Sequence, residues 1–203
     1  MINITLKDGS VKQYSEETSV ISIAKDISEG LARNVISANF NDKVVEVNSM
    51  INEDGKLEFY TWDDDEGKSA FWHSSSHVMA QSIQELFPGV KLTIGPAINS
   101  GFYYDVDLGS HKISESDFNK IESRMLEICR EKHDFNLRPV SKKEAIKFYK
   151  EEDNDYKLEL INDLKDGEIT FCDHSNFTDL CKGGHIPNTC LLYTSDAADD
   201  CEG

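Results

Sequence analysis

The sequence predicts an α+β protein built as two consecutive units, and three observations lead there. Apolar residues alternate at the start, with Ile2, Ile4 and Leu6 followed by a turn at Asp8-Gly9 and a return from Val11 to Tyr14. A helical period replaces that alternation from about Ser69 to Phe87. Between the two lies the acidic stretch DDDEG at 63 to 67, which reads as a linker, being charged, poor in apolar residues and closed by a glycine. A chain of 203 residues is long enough to give two such units a core each.

Residues 1 to 62 are the first unit. After the opening strand pair, Ser19 is placed to cap a helix whose residues Val20, Ile23, Ala24 and Ile27 share one face, and Gly30 is placed to end it. Val35 to Phe40 and Val44 to Val47 are β-rich runs separated by Asn41-Asp42. A last strand, Leu57 to Trp62, follows a turn at Asp54-Gly55. Strand, strand, helix and further strands is the order of a ubiquitin-like β-grasp.

The second unit opens with the Ser69 to Phe87 helix, in which Val78, Met79, Ile83, Leu86 and Phe87 form an apolar face and Pro88-Gly89 is the stop. His73, His77, Gln81 and Gln84 fall along the edge of that face, where a cleft wall is expected. Val90 to Ile94 and Phe102 to Val106 read as strands. Ser116 to Lys132 is an amphipathic helix with Phe118, Ile121, Met125 and Ile128 on one side. Leu137 to Val140 is a short strand, and Ser141 with Glu144 three residues on has the form of a capping box for a helix over 142 to 151. A short helix over Tyr156 to Leu164 and a strand over Ile169 to Cys172 complete a two-layer α/β unit.

Two pairs carry the chemistry: His73 and His77 in HSSSH, and Cys181 and His185 in CKGGH, about a hundred residues apart. The i, i+4 spacing puts each pair on one face if its segment is helical. Taken singly, such residues are ordinary surface histidines and a small buried thiol; as a set of four they point to one site. Two or three histidines with a cysteine suit tetrahedral zinc. Neutral histidines without a metal suit proton transfer from water, with N–H donors holding an oxyanion. Spacing alone does not choose between these.

Composition narrows the function classes. A formal charge of −17 opposes nonspecific binding to nucleic acid, so any RNA contact must be local and shaped, or lie elsewhere in a larger protein. No run approaches the roughly 20 apolar residues needed to cross a bilayer, and the start, MINITLKDG, is not a signal peptide, so a cytoplasmic location is expected. Five cysteines at irregular spacing fit a reducing compartment and read as free thiols.

The phrases HSSSHVMAQSIQELFPGVKLTIGPAINSGFYYDVDL, DYKLELINDL and FTDLCKGGHIPN, in that order, resemble the editing domain of threonyl-tRNA synthetases, and the first unit resembles their TGS module. The resemblance spans roughly 1 to 189, with the editing domain over 63 to 189 and incomplete at its C-terminal end. It implies hydrolysis of serine wrongly attached to threonine tRNA. Carried over to this sequence, it implies that His73 activates water or relays a proton, that His77 helps hold the water or ester, and that Cys181 and His185 line the same pocket. Lys157 would stabilise the oxyanion or bind the terminal phosphate, and Tyr104 and Asp179 would bind the substrate's hydroxyl and amine. The threonine-type site is expected to need no metal, with zinc on His73, His77, Cys181 and His185 as the alternative. A freestanding zinc-dependent editing hydrolase and a non-catalytic RNA- or protein-binding fragment are the other readings.

The same resemblance places the family's ATP, magnesium and zinc sites and its dimer contacts in an aminoacylation core absent here, so the implied fragment is a monomer that binds threonine tRNA but no DNA or membrane. The sequence departs from the family at Gly184, where proline is usual; a more flexible loop is expected there. From 190 the stretch CLLYTSDAADDCEG does not resemble the family and is expected to be non-native.

Overall fold

The computed structural model describes residues 1–193. Its first unit contains β1 (Ile2–Leu6), β2 (Val11–Tyr14), β3 (Thr18–Ser19), α1 (Val20–Ile27), α2 (Glu29–Asn34), β4 (Ser37–Phe40), β5 (Lys43–Val45), β6 (Met50–Ile51) and β7 (Gly55–Tyr60). The main sheet has the order β2-β1-β7-β4-β5, with β1 and β7 parallel and the other neighbours antiparallel. Val20, Ile23 and Ala24 of α1 are buried against Ile2, Ile4, Ala38 and Leu57 of the sheet. That is the expected β-grasp, and the chain as a whole is α+β.

Local chemistry moved several boundaries. Ser19 caps α1 as its spacing predicts, accepting from the Ser22 N–H. The helix nonetheless ends at Ser28, before Gly30, because Ser28 turns extended and its hydroxyl accepts from the Leu31 N–H to start α2. Asn41 and Asp42 both have positive φ, 49° and 62°, as a tight two-residue hairpin turn requires. Gly55 is the first residue of β7 instead of a turn residue: a Cβ there would lie 2.4 Å from the Phe40 ring.

The second unit contains α3 (Asp65–Leu86), β8 (Lys91–Leu92), β9 (Ala97–Ile98), β10 (Gly101–Phe102), β11 (Val106–Asp107), α4 (Glu115–Arg130), β12 (Asn136–Pro139), α5 (Lys142–Glu151), α6 (Asp155–Asp163), β13 (Thr170–His174), β14 (Phe177–Leu180) and a 3-10 turn at Thr189–Leu192. β12, β13 and β14 form an antiparallel sheet, while β8 pairs β11 and β9 pairs β10 in short ribbons. The two longer strands expected over 90 to 94 and 102 to 106 are thus broken into these fragments. Phe118, placed by periodicity on the apolar side of α4, is 58% exposed.

The acidic stretch read as a linker is largely helix, since α3 starts at Asp65. Asp64 accepts from the Thr61 N–H and hydroxyl at 2.8 and 3.1 Å, and Gly67 lies so near the Thr61 carbonyl oxygen that a Cβ would come within 1.9 Å of it. Trp62 packs edge-on to Phe71, with ring centroids 5.0 Å apart. The junction is therefore a packed turn.

Cys129, Cys172 and Cys181 are free thiols. Cys190 is disulfide-bonded, which corrects the reading of every cysteine as free. Leu191, Leu192 and Tyr193 pack against the core that α3 and α4 share, and the rest of the stretch expected to be non-native, 194 to 203, lies outside the described residues.

Candidate functional site

The serines of HSSSH let α3 sit close to its neighbours while satisfying their own hydroxyls. Ser74 and Ser75 donate to the carbonyls of Ala70 and Phe71, both at 2.8 Å. Ser76 donates to the Gly95 carbonyl at 2.7 Å and fixes the loop opposite. Ser74 also accepts from the Ile186 N–H at 3.0 Å, which ties α3 to the segment carrying His185.

CKGGH is not helical, so its pair does not converge by helical spacing. It converges because Gly183 and Gly184 have φ of 94° and 88°, a region that only glycine enters freely, and the loop folds back on itself. All four predicted residues then meet, with one ligand-type atom from each of His73, His77, Cys181 and His185 within 4.8 Å of the others. His73 Nε2 is 3.2 Å from His77 Nε2 and 3.4 Å from Cys181 Sγ, which is itself 3.4 Å from His185 Nε2.

Burial gives each member a different character. It pushes the His77 imidazole below its ordinary pKa, so that ring is neutral. For Cys181 burial acts upward, but contacts with His185, His73 and His77 outweigh it and hold the thiol well below its usual range. For His185 burial acts downward, and contacts with Cys172, Cys181 and Glu46 hold it well above. Cys181 is thus drawn toward its thiolate, with His185 as its buried polar partner.

Beside this cluster stands a second one around Asp179 of β14, which is 4% exposed. It pairs with Lys157 Nζ at 2.5 Å and accepts from the Tyr104 hydroxyl at 2.6 Å, the Leu180 N–H at 2.8 Å and the Tyr149 hydroxyl at 3.3 Å. Lys157 is buried at the start of α6, whose cap Asn154 donates to the Leu92 carbonyl at 2.8 Å, so it is no solvated surface lysine. Burial, then the Asp179 charge, raises the Tyr104 and Tyr149 phenols well above 10, and both act as donors. His77 Nδ1 lies 4.0 Å from Asp179 and has no hydrogen-bond partner, so it links the two clusters.

A cavity of about 540 Å³ opens onto His73, His77, Lys157, Asp179 and Cys181. His185 and Tyr104 stand one layer back, His185 fully buried behind Cys181 and Tyr104 behind Asp179. Sequence reasoning missed Tyr149 and Glu46. Nothing in the sequence marks Tyr149, whereas Glu46 is a charge inside the apolar run VVEV.

Zinc fits the cluster. Bond lengths of about 2.0 to 2.3 Å in a tetrahedron put ligand atoms about 3.3 to 3.8 Å apart; three of the six separations, 3.2, 3.4 and 3.4 Å, lie close to that, and all six lie within 4.8 Å. Four side-chain donors, three imidazoles and one thiolate, would hold the ion.

Residues 2–61 match the TGS domain family. Along 95% of its length the chain is 62% identical to the threonine--tRNA ligase of Flavobacterium psychrophilum and 60% identical to that of Flavobacterium johnsoniae. It is 47% identical over 93% of its length to the threonine--tRNA ligase of Caldanaerobacter subterraneus subsp. tengcongensis. The chain spans about 29% of the length of each of these relatives. With a β-grasp TGS domain at its start and this identity along the remainder, the chain belongs to the N-terminal region of the threonine--tRNA ligase family.

Proposed function

We propose that the second unit hydrolyses the ester joining serine to the 3′ end of threonine tRNA. The observation that carries this is the single cavity onto which His73, His77, Lys157, Asp179 and Cys181 open. Its volume of about 540 Å³ is in the range of small-molecule sites. In this reading the aminoacyl end enters at Lys182 and Pro96 on the rim. Water attacks the ester carbonyl and gives its proton to the His73 imidazole; the tetrahedral oxyanion is held by the Lys157 ammonium. Collapse releases serine and returns the proton to the departing ribose oxygen. Asp179, with Tyr104 and Tyr149 behind it, receives the substrate's amine, and His77 orients the water.

Chemistry explains the need. One missing methyl costs a binding pocket only about 1 to 3 kcal/mol, so a second site that admits serine and rejects threonine restores accuracy. With a net charge of −17, the contact with RNA is confined to its terminal nucleotides. The setting is the cytoplasm, where translation supplies the substrate.

A second reading, a zinc-dependent hydrolase of the same ester, is favoured by the convergence of His73, His77, Cys181 and His185. Zinc bound there would supply an acidified water only where one of the four donors gives up its position to that water. Hydrolysis of seryl- against threonyl-tRNA for threonine, by the wild type, His73→Ala and the wild type with a chelator, separates the two. Serine-selective hydrolysis lost in His73→Ala and indifferent to the chelator supports the first; chelator sensitivity supports the second. A folded protein that binds this tRNA without hydrolysing it would overturn both.

A further inference from the structure

We infer that Glu46, a residue of the TGS domain, is a positioning residue for the site in the second unit: it holds the CKGGH loop and fixes which nitrogen of His185 carries the proton. Glu46 follows β5 and is 8% exposed. Among the described residues its carboxylate is paired with no lysine or arginine, and the hydrogen-bond partners of that carboxylate are all in the other unit. Oε1 accepts from the Gly184 N–H at 3.0 Å, Oε2 from the His185 N–H at 3.1 Å, and Oε1 faces His185 Nδ1 at 3.1 Å.

A carboxylate only accepts, so the Nδ1 contact places a proton on Nδ1 and aims it at Glu46. Cys172 Sγ lies farther from the same nitrogen, at 3.5 Å against 3.1 Å for the carboxylate, and sulfur is the weaker acceptor. His185 Nε2 is thereby directed at Cys181 Sγ, 3.4 Å away, and the ring is stacked between Phe135 and His73. The backbone is built around the same carboxylate. A Cβ on Gly183 would sit 3.2 Å from Glu46 Oε1 and 2.8 Å from Leu137, and Gly184 at φ 88° turns its N–H toward Glu46. Two donors from the loop and one from the ring converge on one side chain, which is how the outer partner of a functional histidine is usually arranged.

The consequence is that the two units share one site. Glu46 touches no substrate; it acts through His185. The assignment holds with or without a metal on Nε2, because the nitrogen it governs is the other one.

The test is nitrogen-15 NMR of the imidazoles in the whole chain, read in the wild type, Glu46→Gln and Glu46→Ala, each with and without a chelator. Expected in the wild type is a slowly exchanging proton on His185 Nδ1. In Glu46→Ala that resonance is lost. In Glu46→Gln, which keeps one acceptor oxygen, it survives but moves upfield. A wild-type His185 protonated on Nε2 alone, or an unchanged Nδ1 resonance in a folded Glu46→Ala protein, overturns the inference, and the wild-type spectrum decides even if a variant fails to fold. Hydrolysis is the second readout and rests on the proposed reaction: Glu46→Ala should lose about 10- to 100-fold in kcat with little change in KM. If the resonance behaves as expected while the wild type hydrolyses nothing, the reaction is wrong and the positioning role stands.

Discussion

Replacing Lys157 by methionine separates a buried ion pair from everything else in the site. The two chains have similar length, so little cavity is created, and what is removed is the positive charge 2.5 Å from Asp179. Removing one partner of a buried pair costs about 3 to 5 kcal/mol, because the other charge is left in a poorly solvated place. Asp179 retains three donors, from Tyr104, Leu180 and Tyr149, which argues for the lower end, about 3 kcal/mol. With a urea m-value of about 2 kcal/mol/M, the midpoint falls by about 1.5 M. Asp179→Asn removes the stranded charge, so the double variant should be less destabilised than the sum of the singles by about 1 to 2 kcal/mol. Urea unfolding followed by circular dichroism reads all four proteins. A Lys157→Met midpoint within about 0.25 M of wild type, or strict additivity in the double variant, would refute the view that this pair is dry and coupled.

Three further outcomes follow from the geometry. Gly184→Pro cannot reach φ 88° and has no N–H for Glu46, so it should cost about 3 kcal/mol or more in the same unfolding assay, against about 1 to 2 for Gly184→Ala. His174, 1% exposed between Phe135 and Phe177, has its pKa lowered from 6.5 to about 3 by burial and then by neighbouring histidines. The unfolded chain therefore binds the extra proton, and the stability present above 6.5 is lost as pH falls toward 3, about 2 kcal/mol by pH 5. His174→Phe should flatten that limb of the stability profile, and an unchanged limb would assign it to other groups. Iodoacetamide at pH 6.5 should label Cys181, whose thiol is depressed, well before Cys129, whose thiol burial lifts to about 11. Added zinc should protect Cys181 and a chelator restore its labelling; equal rates at both cysteines would contradict the thiolate.

Where a side chain acts on its own segment, the sequence was readable. Ser141 caps α5 over the range its spacing predicts, although Glu144 turns outward to Arg138 instead of closing the box. The hairpin glycines and asparagines announce themselves in the same way. What was not readable depends on partners far along the chain. Gly30 resembles a stop, but Ser28 stops the helix first. Gly55 resembles a turn and is there to clear Phe40. Phe177 to Leu180 was recognised for Asp179 and not as a strand, because its pairing with β13 is what makes it one. The four-residue cluster was legible as a set, yet the reason it closes, a turn of two left-handed glycines held through the Gly184 and His185 N–H groups by a glutamate of the other unit, lies 138 residues away from Gly184.

The packed turn at Thr61 to Gly67 acts as a counter. Because Gly67 abuts the Thr61 carbonyl and Asp64 is clamped to Thr61, no spare residue lies between the sheet of the TGS domain and the first turn of α3. The azimuth of every α3 side chain relative to that sheet is set by an integer. One residue more or fewer would rotate the helix by about 100° and shift it by about 1.5 Å, carrying His73 and His77 out of phase with a loop that Glu46 holds from the other side. A length change at this junction would therefore be felt as a change of register, whatever residue is inserted.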